Sequence, residues 1–252
     1  MTAAVQIHAD ADALLGAAAE FVTAQAVAGL AARGRFVVAL AGGSTPRGLY
    51  ERLARAPWRD RIDWSRVHVF WGDERCVPPT HAESNYRMAR EALIDHVPLN
   101  PVHVHRMRGE DVPDSAACTY ETELRAELEA VTHGGPGVLD LVLLGLGADG
   151  HTASLFPGMP SGRLTTRWVV AEHVDTTRGW RLTLTPPIIN AARAVLFLVA
   201  GEDKAVALAA VLEGPARPSA LPAQRITGGG SQVTWLVDRA AATLLTRNRH
   251  PA

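Results

Sequence analysis

The sequence predicts an α/β fold built on a mostly parallel sheet, and two observations carry that expectation. Short runs that are apolar at nearly every position, such as Leu139 to Leu144, read as strands buried on both faces, and they alternate with longer segments of helical character. Four strands end in polar clusters, at 42–45, 72–75, 145–151 and 201–204. Parallel strands set such clusters along one rim, where they can share a cleft.

The elements follow in order. Asp10 or Asp12 caps an alanine-rich helix that runs to about Ala32 and is stopped by Gly34. Phe36 to Ala41 is a short buried strand. After Gly42-Gly43-Ser44, Thr45 serves as N-cap and Pro46 as first residue of a helix through Arg55. Val67 to Trp71 is the next strand, leading into the turn Gly72-Asp73-Glu74-Arg75. The loop Pro78-Pro79-Thr80-His81 precedes a helix from about Ser84 to Asp95. Val102 to His105 alternates as a short strand, and Asp114 to Val131 is an amphipathic helix. After the strand at 139–145 come two β-rich pieces, Trp168 to Glu172 and Arg181 to Thr185. Val195 to Ala200 is a buried strand followed by a helix from Glu202 to Leu212. Val233 to Val237 and a terminal helix from Asp238 complete the pattern. The linker-like pieces at 134–137 and 214–218 are too short to mark boundaries, so residues 1–252 are expected to form one domain.

Composition narrows the function classes. With 252 residues and a formal net charge of −1, the chain has no global basic field for nucleic acid and no polybasic patch for membranes. Its two cysteines, Cys76 and Cys118, make no disulfide framework and lack metal-ligand spacing, which suits a reduced, cytoplasmic protein. The N-terminal alanine-rich run is interrupted by Asp10, Asp12 and Glu20 and reads as a helix of the fold rather than a signal peptide or membrane span.

Within the polar clusters, His151 is the side chain that titrates near neutrality, and on a glycine turn beside Asp149 it is a candidate general base. The alternative is a loop histidine bonded to a backbone carbonyl. Gly145 to Gly150 satisfies Gly-x-Gly-x-x-Gly, but it lies mid-chain and runs into His151 instead of an apolar helix face, which argues against a dinucleotide site. Gly43, Ser44 and Thr45, just before a helix, offer free amides and a positive dipole end to a phosphate. The alternative is a capped turn with no ligand. Lys204, the only lysine of the chain, is a cation for the same phosphate, with Arg178 and Arg181 as further candidates. Arg75 suits a developing oxyanion and Asp73 can orient a hydroxyl or a catalytic partner, unless the two merely close the turn as an ion pair. His103 and His105 alternate with Val102 and Val104 as one face of a strand, so no metal site is expected.

Several segments together resemble one family. Ala41-Gly42-Gly43-Ser44-Thr45-Pro46, Trp71 to Pro78, Ser84-Asn85-Tyr86, Gly145 to Pro157, Arg181 to Thr185 and Gly201 to Ala205 look like the 6-phosphogluconolactonases, in order and over nearly the whole chain. The resemblance implies a three-layer α/β/α fold with a Rossmann-like sheet of the sugar-phosphate isomerase/deaminase type. It implies hydrolysis of 6-phosphoglucono-1,5-lactone, the second step of the oxidative pentose phosphate pathway, with no cofactor. The expected partner is a small phosphorylated sugar lactone, with no nucleic acid, membrane or obligate protein partner.

On that expectation His151 takes a proton from water and returns it to the ring oxygen, and Arg75 faces the oxyanion. Either Asp149 or Asp73 orients the imidazole. Gly43, Ser44 and Thr45 with Lys204, joined by Arg178 or Arg181, hold the phosphate, and Ser154 is structural. Two rivals share the fold. Glucosamine-6-phosphate deaminases carry a further carboxylate after the histidine and a tyrosine at the position of Arg75, whereas this chain has Ser154-Leu155-Phe156-Pro157 and the arginine. Non-catalytic sugar-phosphate sensors add a DNA-binding domain, for which this chain has no spare length.

Overall fold

The computed structural model describes residues 4–129, 137–230 and 232–246. Their elements are β1 (Ala4–His8), α1 (Ala11–Arg33), β2 (Phe36–Leu40), α2 (Ser44–Leu53), β3 (Val67–Trp71), β4 (Asp73–Arg75), α3 (Asn85–Ala92) and α4 (Pro113–Glu129). They continue with β5 (Leu141–Leu144), β6 (Val169–His173), β7 (Trp180–Leu184), α5 (Pro186–Ala191), β8 (Ala194–Val199), α6 (Ala205–Leu212) and β9 (Gln232–Asp238). Short 3₁₀ turns lie between several of them.

Six strands form a sheet in the order β1-β9-β8-β5-β2-β3, with every neighbouring pair parallel. Three of its four interior strands, β2, β5 and β8, are buried at every position, the expected consequence of apolar runs covered on both faces. Helices flank this sheet, α1 packing on α2 and β9. By length and composition α1 is apolar enough to cross a membrane, yet Leu14, Ala18, Val22, Ala26 and Leu30 are buried at helical spacing in the core. Both predicted ends of α1 hold: the Asp10 side chain accepts the Ala13 N–H, and Gly34 takes the left-handed conformation at φ 72°.

The largest departure is a second, antiparallel sheet, β4-β7-β6, backed by α4. Asp73-Glu74-Arg75 is a strand rather than a turn, with Asp73 opposite Thr183 and Arg75 opposite Arg181. Gly72 joins the two sheets: its N–H donates to the Leu40 carbonyl and its own carbonyl accepts from Leu184, both at 2.8 Å.

Smaller corrections have local causes. Thr45 is not an N-cap. Gly43, at φ 104°, takes that position, so the helix starts at Ser44 and Pro46 falls in the first turn, where its missing N–H has no intrahelical role. Residues 101–103 form a 3₁₀ turn capped by the Asn100 side chain, and only Val104 makes a bridge, to Val69. The helices expected to run through Arg55 and Asp95 stop at Leu53 and Ala92, and 202–204 is a 3₁₀ turn before α6. The expected end of the helix at Val131 lies outside the described residues, as does part of the 134–137 linker. No helix follows Asp238 within the described residues, which turn at 239–244. Asp238 ends β9, and its carboxylate is shared between the N–H groups of Ala241 and Gly201. The sequence patterns also missed β1, an edge strand on β9, and the single-turn-and-a-half α5.

One carboxylate ties the amino-terminal ends of the parallel strands together. Asp140 Oδ2 accepts the Val37 N–H at 2.8 Å, while Oδ1 lies 2.9 Å from Arg33 Nη2 and 3.3 Å from Arg193 Nε. Asp140→Ala would leave a buried N–H without its acceptor and two arginines without their counter-ion, at a cost of about 2–3 kcal/mol. Asp140→Asn, which still accepts from Val37, should cost less. Urea unfolding of the three proteins checks the order.

Candidate active site

The turns at the carboxyl ends of β2, β3, β5 and β8 line one cleft, so the four polar clusters meet as parallel topology requires. Gly43, Ser44, Thr45, Asp73, Arg75, His151 and Lys204 all face it.

At the β2 turn, the Asn85 side chain sits directly over Gly42, where any Cβ would overlap it. Asn85 Nδ2 donates to the Asp73 carbonyl at 2.9 Å and lies 3.3 Å from Asp73 Oδ1. The start of α2, with Ser44 and Thr45, opens into the cleft and brings its unpaired amides and positive dipole end with it.

The β3–β4 segment carries two buried carboxylates with different duties. Glu74 accepts from the Asn85 and Tyr86 N–H groups at 2.7 and 2.8 Å, from Arg75 N–H at 2.8 Å and from Ser84 Oγ at 3.0 Å. It therefore caps α3 from a distant strand. Burial pushes its carboxyl pKa up, with those donors pulling the other way. Asp73 Oδ2 accepts from Ser154 Oγ at 2.7 Å. Arg75 reaches the Glu83 carbonyl with Nη1 and lines the cleft.

The β5 turn builds the imidazole site. His151 Nδ1 lies 2.5 Å from Asp149 Oδ1, and the His151 backbone N–H also donates to that oxygen, at 3.1 Å. Gly147 is required here, because a Cβ would overlap the His151 ring. The turn closes through Gly147 N–H to the His151 carbonyl at 2.9 Å. Burial alone would raise the Asp149 pKa, but the hydrogen bond and charge of His151, its backbone N–H and Arg178 outweigh it, and the carboxyl titrates below its ordinary range. With Nδ1–H bonded to a carboxylate, Nε2 carries the lone pair of a neutral ring. Phe156 stacks at a tilt on the imidazole, 4.5 Å between centroids. Ala153, at φ 47°, is a non-glycine residue in the left-handed region, in a turn closed by Leu155 N–H to Thr152 O. That turn delivers Ser154 to Asp73.

Geometry thus separates the two candidate carboxylates: Asp149 holds the imidazole, whereas Asp73 holds Asn85 and Ser154. Lys204 lines the cleft from the β8 side, its Nζ 2.9 Å from Asp203 Oδ2. Arg178 and Arg181 are not among the lining residues. Arg178 Nη2 stands 3.5 Å from Asp149 Oδ2, with its guanidinium 4.7 Å over the Phe156 ring. Arg181 donates to the Arg178 carbonyl, and burial together with the charge of Arg75 lowers its pKa. Asn85 had appeared in sequence only within a motif; no spacing signalled its grip on Asp73, twelve residues away.

Residues 9–235 match the model of the family described as glucosamine-6-phosphate isomerases/6-phosphogluconolactonase. The chain is 41% identical over 251 residues to a 6-phosphogluconolactonase of Streptomyces coelicolor, covering 97% of this chain and 95% of that one. The structure of 6-phosphogluconolactonase from Trypanosoma brucei superposes with a TM-score of 0.82 at 30% identity, over 97% of this chain and 99% of that one. A monomeric glucosamine-6-phosphate deaminase, at 22% identity and a TM-score of 0.81 over 96% of this chain and 99% of that one, shares the fold. The chain belongs to the glucosamine-6-phosphate isomerase/6-phosphogluconolactonase family.

Proposed function

We propose that this chain hydrolyses 6-phospho-D-glucono-1,5-lactone to 6-phospho-D-gluconate, as a one-domain cytoplasmic enzyme of the oxidative pentose phosphate pathway. The observation that carries the proposal is the Asp149–His151 pair, 2.5 Å apart, in the same cleft as Arg75, the start of α2 and Lys204. A base, an oxyanion partner and an anion anchor are the three things that ester hydrolysis of a phosphorylated lactone needs.

His151 Nε2 takes a proton from water as the water oxygen bonds to the lactone carbonyl carbon. The carbonyl oxygen becomes an oxyanion facing Arg75. When the tetrahedral intermediate collapses, the bond to the ring oxygen breaks and the imidazolium returns its proton to that oxygen. Asp149 holds the ring tautomer and stabilises the imidazolium. The α2 start, with Gly43, Ser44 and Thr45, and Lys204 hold the phosphate and so the register of the carbonyl. Arg178 acts from behind Asp149, and Arg181 flanks Arg75. The segment Ser154-Leu155-Phe156-Pro157 offers no carboxylate for amino-sugar ring opening, which weighs against a deaminase.

An assay on freshly generated phosphogluconolactone, corrected for spontaneous hydrolysis and run beside glucosamine 6-phosphate, tests the proposal. Ammonia release without lactone hydrolysis would overturn it. His151→Ala should lower kcat by roughly two to four orders of magnitude with little change in substrate affinity; near-wild-type turnover would make the imidazole structural.

Asp149→Asn and Asp73→Asn separate the two carboxylates. The first keeps an oxygen for Nδ1–H but removes the charge beside the imidazolium, and should lower kcat with KM little changed. The second should act mainly on stability, through Ser154 and Asn85. The reverse pattern would reassign the orienting role.

Lys204→Ala should raise KM for the phosphorylated lactone about tenfold to hundredfold, the worth of a charge-assisted contact of about 1.5–3 kcal/mol. Inorganic phosphate should compete with substrate in the wild type. Gluconolactone without the phosphate should be nearly indifferent to the substitution, and equal losses on both lactones would move the anchor elsewhere.

A further inference from the structure

We propose that His68, His105 and Glu127 form a binding site for a late first-row divalent cation, zinc foremost, at the end of the sheet away from the cleft. His68 is the second residue of β3, and Glu127 is gripped by Arg35, the residue just before β2. Both therefore lie by the amino-terminal ends of strands whose carboxyl ends build the cleft.

One ligating atom from each of His68, His105 and Glu127 lies within 4.8 Å of the other two. The ring nitrogens are not spent elsewhere: His68 Nδ1 and His105 Nε2 are buried without a hydrogen-bond partner, a costly state for either atom. His68 Nδ1 comes within 3.1 Å of Glu127 Oε1 without making a hydrogen bond. His105, itself 7% exposed, has its Nδ1 2.7 Å from Glu123 Oε1. That contact puts the proton on Nδ1 and the lone pair on Nε2, as the carboxylate behind a metal-bound histidine does. The His103 ring stacks on His68 at 3.8 Å and forms a wall.

The donor set selects the ion. Two imidazoles and one carboxylate suit zinc, cobalt or nickel, whereas calcium and magnesium want oxygen. Arg35 donates to Glu127 Oε1 and offsets its charge, so binding must come from the nitrogen donors and not from net negative potential. His68 Nδ1 and Glu127 Oε1, 3.1 Å apart, already have a spacing that suits tetrahedral zinc with bonds of about 2.0–2.1 Å, with His105 as third donor and water as fourth ligand. The ion would then add a tie between β3 and α4, beside the Val69–Val104 bridge and the Tyr120 hydroxyl that already bonds the Trp71 backbone.

The test uses tag-free protein, stripped with chelator and titrated with zinc chloride by calorimetry, with thermal unfolding and cobalt(II) absorption in parallel. Expected are one equivalent of zinc per chain, a raised unfolding temperature and the intense visible bands of tetrahedral cobalt. His68→Gln and His105→Gln should each weaken zinc binding at least about tenfold. Glu123→Gln, at a half-exposed position that tolerates the change, should weaken it by about tenfold and decides the matter if the histidine variants fail to fold. His151→Asn should keep the full equivalent. No zinc binding by the wild type, unchanged affinity in Glu123→Gln or His68→Gln, or loss of the equivalent in His151→Asn would each overturn the proposal.

Discussion

The parallel register of β2, β3, β5 and β8 is the constraint on which the cleft depends. Leu40 pairs with Trp71 and Leu144 with Phe197, so the residues that follow these strands emerge at one level along one rim. Apart from His68 on β3, the four strands are apolar throughout. The polar residues of the cleft lie in the turns that follow, and the register brings those turns together. A slip of one residue would turn every buried side chain to the opposite face, so core packing and site geometry are specified by the same contacts.

The rim is expensive to build, because it gathers carboxylates where little water reaches. Asp73 and Glu74 are both buried, and each is matched by donors from elsewhere in the chain. Unpaired, each would carry a desolvation penalty of several kcal/mol. Glu74 meets this by capping α3, which fixes Asn85, which in turn holds Asp73. Asp73 then fixes Ser154 in the same turn region as His151. The imidazole is thus positioned from two sides, by Asp149 within its own turn and by a relay that starts on β4 and passes through α3. Gly42 and Gly147 are the places where this crowding leaves no room for a side chain.

The opposite ends of the strands have a different character. There Asp140 joins Arg33, Arg193 and the Val37 N–H, and Arg35 joins Glu127 beside three closely packed histidines. Burial, with the charges of His103, Arg35 and His105, drives the His68 pKa down to about 4 against the pull of Glu127. A parallel sheet thereby separates two groupings: the polar cleft at the carboxyl ends, and the tying of strands to helices at the amino ends.

Much of this was legible in the residues alone. The caps of α1 at Asp10 and Gly34, the buried strands and the four clusters at their ends follow from the sequence, because periodicity, capping and glycine turns act over a few residues of backbone. The Asp149–His151 pair was visible as a possibility for the same reason, being two residues apart. Tertiary structure decided what depends on partners far along the chain. It made Asp73-Glu74-Arg75 a strand of a second sheet, moved the start of α2 to Ser44, gave Asp73 to Ser154 eighty-one residues away, and left Arg178 behind Asp149 instead of in the cleft lining. It also gathered His68, His105 and Glu127, which no spacing connects. Spacing is blind to such choices because several like-charged groups satisfy it equally well, and only packing decides which of them come within hydrogen-bond reach.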